Sequence, residues 1–92
     1  MGTLGEDQIS EALAALSGWS RAGDAITRTF DCGDFMGAVD FVNAIAPLAE
    51  ALNHHPDVTI RWREVTLKLS THSAGGLTAA DFELARRIDE IA

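Results

Sequence analysis

The spacing of apolar residues changes several times along the chain, and each change marks an element. Ile9, Ala12, Leu13 and Leu16 recur at helical intervals and form the buried stripe of a first helix. That helix begins near Gly5, with Leu4 and Ile9 placed as a hydrophobic staple and Gln8 at the capping-box position, and it ends at Gly18. Trp19 to Arg21 and Ala25 to Phe30 read as two short strands around the turn Ala22-Gly23-Asp24. Trp19, Ile26 and Phe30 are expected to face the core. A second and longest helix starts around Gly33-Asp34 and carries Phe35, Val39, Val42, Ile45 and Leu48 inward. Pro47 removes a backbone donor and clashes one turn back at Asn43, so a kink or a fresh first turn is expected there. The helix resumes through Glu50 and stops before Pro56.

Between Pro56 and His72 the period drops to two. Val58, Ile60 and Trp62 fall on one face of a strand, and Val65, Leu67 and Leu69 on one face of the next, which predicts a hairpin. Pairing Trp62 with Val65, Ile60 with Leu67 and Val58 with Leu69 sets every apolar residue opposite another. This register puts Trp62 in the core and Arg63-Glu64 in the loop, although that pair is poor chemistry for a primed turn and the turn type stays open. At the other end it sets His55 opposite His72, with His54 one residue away. Ser73 to Gly76 then forms a connector. The last helix has Thr78 as N-cap, Asp81 at N3, Leu77 stapled to Phe82, and a stripe of Phe82, Ala85, Ile88 and Ile91.

The order helix, two strands, helix, two strands, helix predicts an α+β fold, α-β-β-α-β-β-α, with three helices packed on one face of a four-stranded antiparallel sheet. The other face stays open, because Thr59, Arg61, Thr66, Lys68 and Ser70 point away from the apolar side.

With 92 residues the chain is expected to form one domain with a single modest core. A net charge of -7 and a pI near 4.6, with scattered basic residues, argue against a nucleic-acid surface. No apolar run is expected to reach the ~18 residues of a membrane span, and no signal pattern opens the chain. The single cysteine, Cys32, offers neither an internal disulfide nor a CxxC zinc pair and reads as a small packing residue. A cytoplasmic protein is the expectation.

The three histidines, His54, His55 and His72, carry the candidate chemistry. Imidazole titrates near neutrality and can serve as general acid or base. Two adjacent histidines before a proline also suit a solvated helix end, and zinc is the sharper rival, but the spacings match no usual zinc pattern. Glu50, one helical turn before His54, is placed to orient that ring or to sit on the helix face. Asp81 is a helix cap in its own right.

The run Glu50-x3-His54-His55-Pro56, an aromatic at Trp62, His72 after nine residues and Asp81 beyond it resembles the pattern of the pterin-4a-carbinolamine dehydratase family. The run Ser70-Thr71-His72 and the element order agree with it. The resemblance implies an enzyme that removes water from a 4a-hydroxytetrahydropterin without metal or redox cofactor. It makes His54 and His72 the acid and base candidates, with His55 positioning the pterin and sharing the proton work. Asn53, Ser70 and Thr71 would hydrogen-bond the substrate, and Glu50 and Asp81 would support the histidines. It also implies a homodimer or homotetramer joined through edge strands, with Gly37, Ala38 and Ala44 on the second helix allowing close helix approach. A functional link to an aromatic amino-acid hydroxylase follows. The competing reading is a pterin- or molybdopterin-related binding or regulatory module on the same scaffold. Val58 departs from animal members, which carry an aromatic there, so stacking from that position is absent.

Overall fold

The computed structural model describes residues 2–92. Its elements are α1 (Glu6–Ala14), β1 (Ser20–Ala22), β2 (Ala25–Asp31), α2 (Phe35–Leu52), β3 (Asp57–Arg61), β4 (Glu64–Leu69), a 3-10 turn (His72–Ala74) and α3 (Ala79–Ile91). The strands pair antiparallel in the order β1-β2-β4-β3. The α+β architecture expected from the sequence is therefore the observed one.

The two central strands supply the floor of the core. Ile26 pairs with Leu69, Arg28 with Leu67 and Phe30 with Val65, and all but Arg28 are buried against the helices. Arg28 snorkels instead: it passes over the Phe30 ring and reaches Asp89 at 3.0 Å and the Ser17 carbonyl at 2.9 Å. Asp89 also accepts from the Trp19 indole at 3.0 Å, which ties α3 to the start of β1. Leu84, Ala85 and Ile88 of α3 and Ala38, Ile45 and Ala49 of α2 close the core from above. Truncating a side chain such as Leu84 to Ala costs about 2–5 kcal/mol in such a setting.

The second helix departs from expectation at three places. Phe35 is 54% exposed rather than buried, because the packed stripe starts only at Ala38 and the first turn overhangs the core. Pro47 does not break the helix, which runs unbroken from Phe35 to Leu52. Asn43 and Pro47 both face solvent, so water can satisfy the carbonyl that proline leaves without a donor. With a mean hydropathy of 1.4 over 18 residues, this helix is also long and apolar enough to cross a membrane, contrary to the reading that no such run exists. Here it packs on the sheet and α3, with Phe41, Val42, Leu48 and Leu52 lodged against the core.

Ala38 is fully buried within its own chain, so it cannot belong to a helix surface open to a second copy. Gly37 is needed where it stands, since a Cβ there would fall on the Cys32 carbonyl. Cys32 itself packs against the core, and burial, with the Asp31 charge second, pushes its thiol above the ordinary range.

The hairpin forms, but in another register. Val58 pairs with Leu67, Ile60 with Val65 and Arg61 with Glu64, leaving Trp62-Arg63 as the two-residue connection. Sliding the pairing by two residues keeps every side chain on the same face, so alternation alone could not separate the two registers. Trp62 takes φ 54, the positive value that the first central residue of a primed turn requires. It sits at the hairpin tip, 69% exposed, with the Arg63 guanidinium 5.1 Å from its ring centroid, and is not a core residue. The observed register also removes the pairing of His55 with His72. β3 starts only at Asp57, opposite Lys68, and His72 lies beyond an isolated bridge between Thr71 and Gly76.

Candidate active site

The end of α2 delivers His54. Asn53 adopts the left-handed conformation at φ 47, the His54 N–H bonds back to the Ala49 carbonyl at 3.0 Å, and the Asn53 N–H to the Glu50 carbonyl at 3.1 Å. This is a Schellman ending, and asparagine is among the few residues other than glycine that enter it readily. Asn53, expected as a substrate ligand, thus has a backbone role that turns the chain and aims the next side chain.

That side chain meets a buried carboxylate. His54 Nε2 lies 2.5 Å from Asp81 Oδ1, with the imidazole 12% exposed and Asp81 at 0%. Asp81 Oδ2 accepts from the Thr78 N–H at 2.9 Å and from the Thr71 hydroxyl at 2.8 Å. Thr71 and Thr78 hydroxyls are 2.8 Å apart. With the Asp81 carboxylate accepting at both oxygens, the neutral His54 carries its proton on Nε2 and its lone pair on Nδ1. Nδ1 has no hydrogen bond among the described residues, and no buried side-chain N or O there lacks a partner, so Nδ1 is open to solvent.

Asp81 therefore does more than cap α3: it links the helix start, the end of β4 and His54. Thr71, expected to bind substrate through its hydroxyl, spends that hydroxyl on Asp81 and Thr78.

His55 stands apart. It is exposed, 3.4 Å from Glu50, and borders a groove of about 180 Å³ between α2 and β3 that includes Val42, Ile45, Pro56 and Val58. Glu50 thus reaches the second histidine, not the first. His72 occupies a third position, in a cleft of about 270 Å³ on the uncovered face of the sheet, with Ser70, Lys68, Asp57 and Asp24. Ser70 Oγ donates to the Asp24 carbonyl at 2.7 Å. The three imidazoles do not converge by direct hydrogen bonds. His54 and the His72 segment are instead connected through Asp81 and Thr71, the residue preceding His72.

Sequence reasoning missed Asp24, Asp57 and Lys68 as cleft residues, although their outward strand or turn positions beside His-His-Pro and Ser-Thr-His were a usable signal. It also missed Thr78 as a partner of Thr71. Among the described residues no group of three His, Cys, Asp or Glu side chains is arranged to hold a metal ion.

An open α+β sandwich carrying an imidazole clamped by a buried carboxylate is the class that fold and site define. The family model for pterin 4 alpha carbinolamine dehydratase matches residues 2–91, and the chain belongs to that family. Relatives provisionally named pterin-4-alpha-carbinolamine dehydratase include one from Roseiflexus castenholzii, 56% identical over 96% of this chain and 95% of the relative. Another, from Nocardia farcinica, is 53% identical over 97% and 94%. The crystal structure of a transcriptional coactivator/pterin dehydratase from Brucella melitensis is similar with a TM-score of 0.94 at 40% identity, covering 99% of both chains.

Proposed function

We propose that the chain catalyses the dehydration of a 4a-hydroxytetrahydropterin to the quinonoid dihydropterin, recycling an oxidised pterin beside an aromatic amino-acid hydroxylase. In this reaction the C4a–O bond breaks, the N5 lone pair forms the C4a=N5 bond, the N5 proton leaves, and the departing hydroxyl takes up a proton to become water. One base and one acid suffice. His54, with Nε2–H given to Asp81, presents its Nδ1 lone pair for the N5 proton. His72, in the cleft with Ser70 and Asp57, supplies the proton to the hydroxyl, and His55 helps to seat the ring.

The observation that carries the acid-base reading is the 2.5 Å contact of His54 with fully buried Asp81, which fixes tautomer and ring plane together. Membership of the dehydratase family supplies the substrate class. The test is turnover of synthetic 4a-hydroxytetrahydropterin followed by absorbance against the spontaneous rate. A rate no faster than buffer, with tight binding of a pterin, would favour the binding-module reading instead.

The reading carries a cytoplasmic homo-oligomer with it. β3 is an unpaired edge whose five residues are all exposed, Val58 and Ile60 included, and a second copy would satisfy both its backbone and its apolar side chains. Sedimentation equilibrium at micromolar concentration separates a dimer or tetramer from a monomer, and an active monomer would end this part of the proposal.

A further inference from the structure

We propose that Thr78 is a positioning residue for the reaction, whose hydroxyl acts on His54 through Thr71. The inference rests on the dehydratase reading for its effect on turnover, but not for its effect on the imidazole.

Proton counting orders the network. As a carboxylate, Asp81 has no proton to give, so the single hydroxyl proton of Thr71, 2.8 Å from Oδ2, goes to Asp81. The Thr71 oxygen then faces Thr78 Oγ1 at 2.8 Å with only lone pairs, and the Thr78 proton must come to it. The chain runs one way, Thr78 to Thr71 to Asp81, and His54 Nε2–H meets the same carboxylate from the other side. Thr71, Thr78 and Asp81 are all buried, so water does not compete for these bonds. In such a setting each hydrogen bond polarises the next, and a hydroxyl that cannot rotate away keeps Oδ2 occupied and Oδ1 turned toward the ring. The Thr78 N–H holds Oδ2 independently at 2.9 Å, and that bond survives replacement of the side chain. The hydroxyl also faces the Asp81 N–H in a capping box, so a loss through the helix start would persist in the Thr71→Val background, where a loss through the relay would not.

The experiment is a double-mutant cycle of Thr71→Val and Thr78→Val, with Thr78→Ser as the conservative control. Turnover is read alongside the ¹⁵N resonances of the His54 imidazole. Thr71→Val should lower kcat by about tenfold, the scale of one lost hydrogen bond, with KM within about twofold. Thr78→Val should lower it by a smaller factor, the double variant should match Thr71→Val, and Thr78→Ser should match the parent. Both Val variants should convert the single Nε2–H tautomer of His54 into a mixture. Multiplicative losses in the double variant, or an unchanged tautomer in Thr78→Val, would overturn the proposal, because a purely structural threonine gives those results. If the parent chain turns over no hydroxypterin, the dehydratase reading fails while the tautomer measurements still decide the relay. Should the Val variants not fold, the parent protein decides it: the Thr78 hydroxyl proton must exchange slowly with water, and exchange at the rate of an exposed threonine ends the proposal.

Discussion

His54 is 12% exposed and 2.5 Å from a fully buried carboxylate, while His55, the next residue, is 55% exposed and 3.4 Å from a carboxylate that is itself largely in water. The difference begins in the backbone. The Schellman ending of α2 directs His54 toward the start of α3 and leaves His55 on the outer side, beside the edge strand. A ring held by a carboxylate with three donors in a dry setting has one tautomer and one orientation. A ring on the surface, with a long contact to Glu50, has several of each. Chemistry that needs a proton taken at a defined point therefore falls to the first histidine, and adaptable contact with a ligand to the second.

The largest effect that this contrast predicts is in His54→Ala. Turnover should fall by roughly 10²- to 10⁴-fold, the range for a general acid or base. Asp81 would also lose a partner while remaining buried, at about 1–3 kcal/mol of stability. Steady-state kinetics and urea unfolding check both, and a variant that is as active as the parent would put the proton transfer elsewhere.

Asp81→Asn should come next. The carboxylate takes three donors, and an amide can accept at only one of its two positions. If the amide nitrogen faces His54, the ring must accept at Nε2 and carry its proton on Nδ1, the wrong nitrogen for taking a proton from N5. If it faces Thr78, two N–H groups oppose each other. Either arrangement should lower turnover by about 10²-fold with the protein still folded. Retention of full activity would show that the tautomer is set by something other than Asp81.

His55→Ala should show a smaller loss, under about tenfold and mainly in KM, because no buried partner depends on the ring. Its stability should not change measurably, since an exposed ion pair such as His55 with Glu50 contributes little. A kcat loss equal to that of His54→Ala would erase the distinction between the two residues.

Much of this was legible in the sequence, for reasons that differ from residue to residue. Asp34, Gly5 and Thr78 announce helix starts by their chemistry, and the alternation from Val58 to Leu69 announces two strands, so the fold followed. The register did not, because a shift of two residues is invisible to a period of two and was decided by the turn at Trp62-Arg63. The pairing of His55 with His72 rested on that register and went with it. Phe35 was misplaced because helical spacing says which face a residue occupies but not how far the partner surface extends. The relay from Thr78 through Thr71 to Asp81 lies beyond sequence altogether, because the direction of a hydroxyl proton depends on which groups folding brings within reach.

The smallest expected effect tests whether the contrast really originates in the backbone. Asn53 was expected to touch substrate through its side chain, yet its φ of 47 gives it another reason to be where it is. Asn53→Gly removes the side chain entirely and keeps access to the left-handed conformation at no steric penalty. Turnover and midpoint of unfolding should both stay close to the parent. Asn53→Val keeps a side chain of similar size but is β-branched and resists positive φ, so it should destabilise by about 1–2 kcal/mol. If the glycine variant instead loses activity with its stability intact, Asn53 acts through its amide on the substrate, and the placement of His54 needs more than the turn that precedes it.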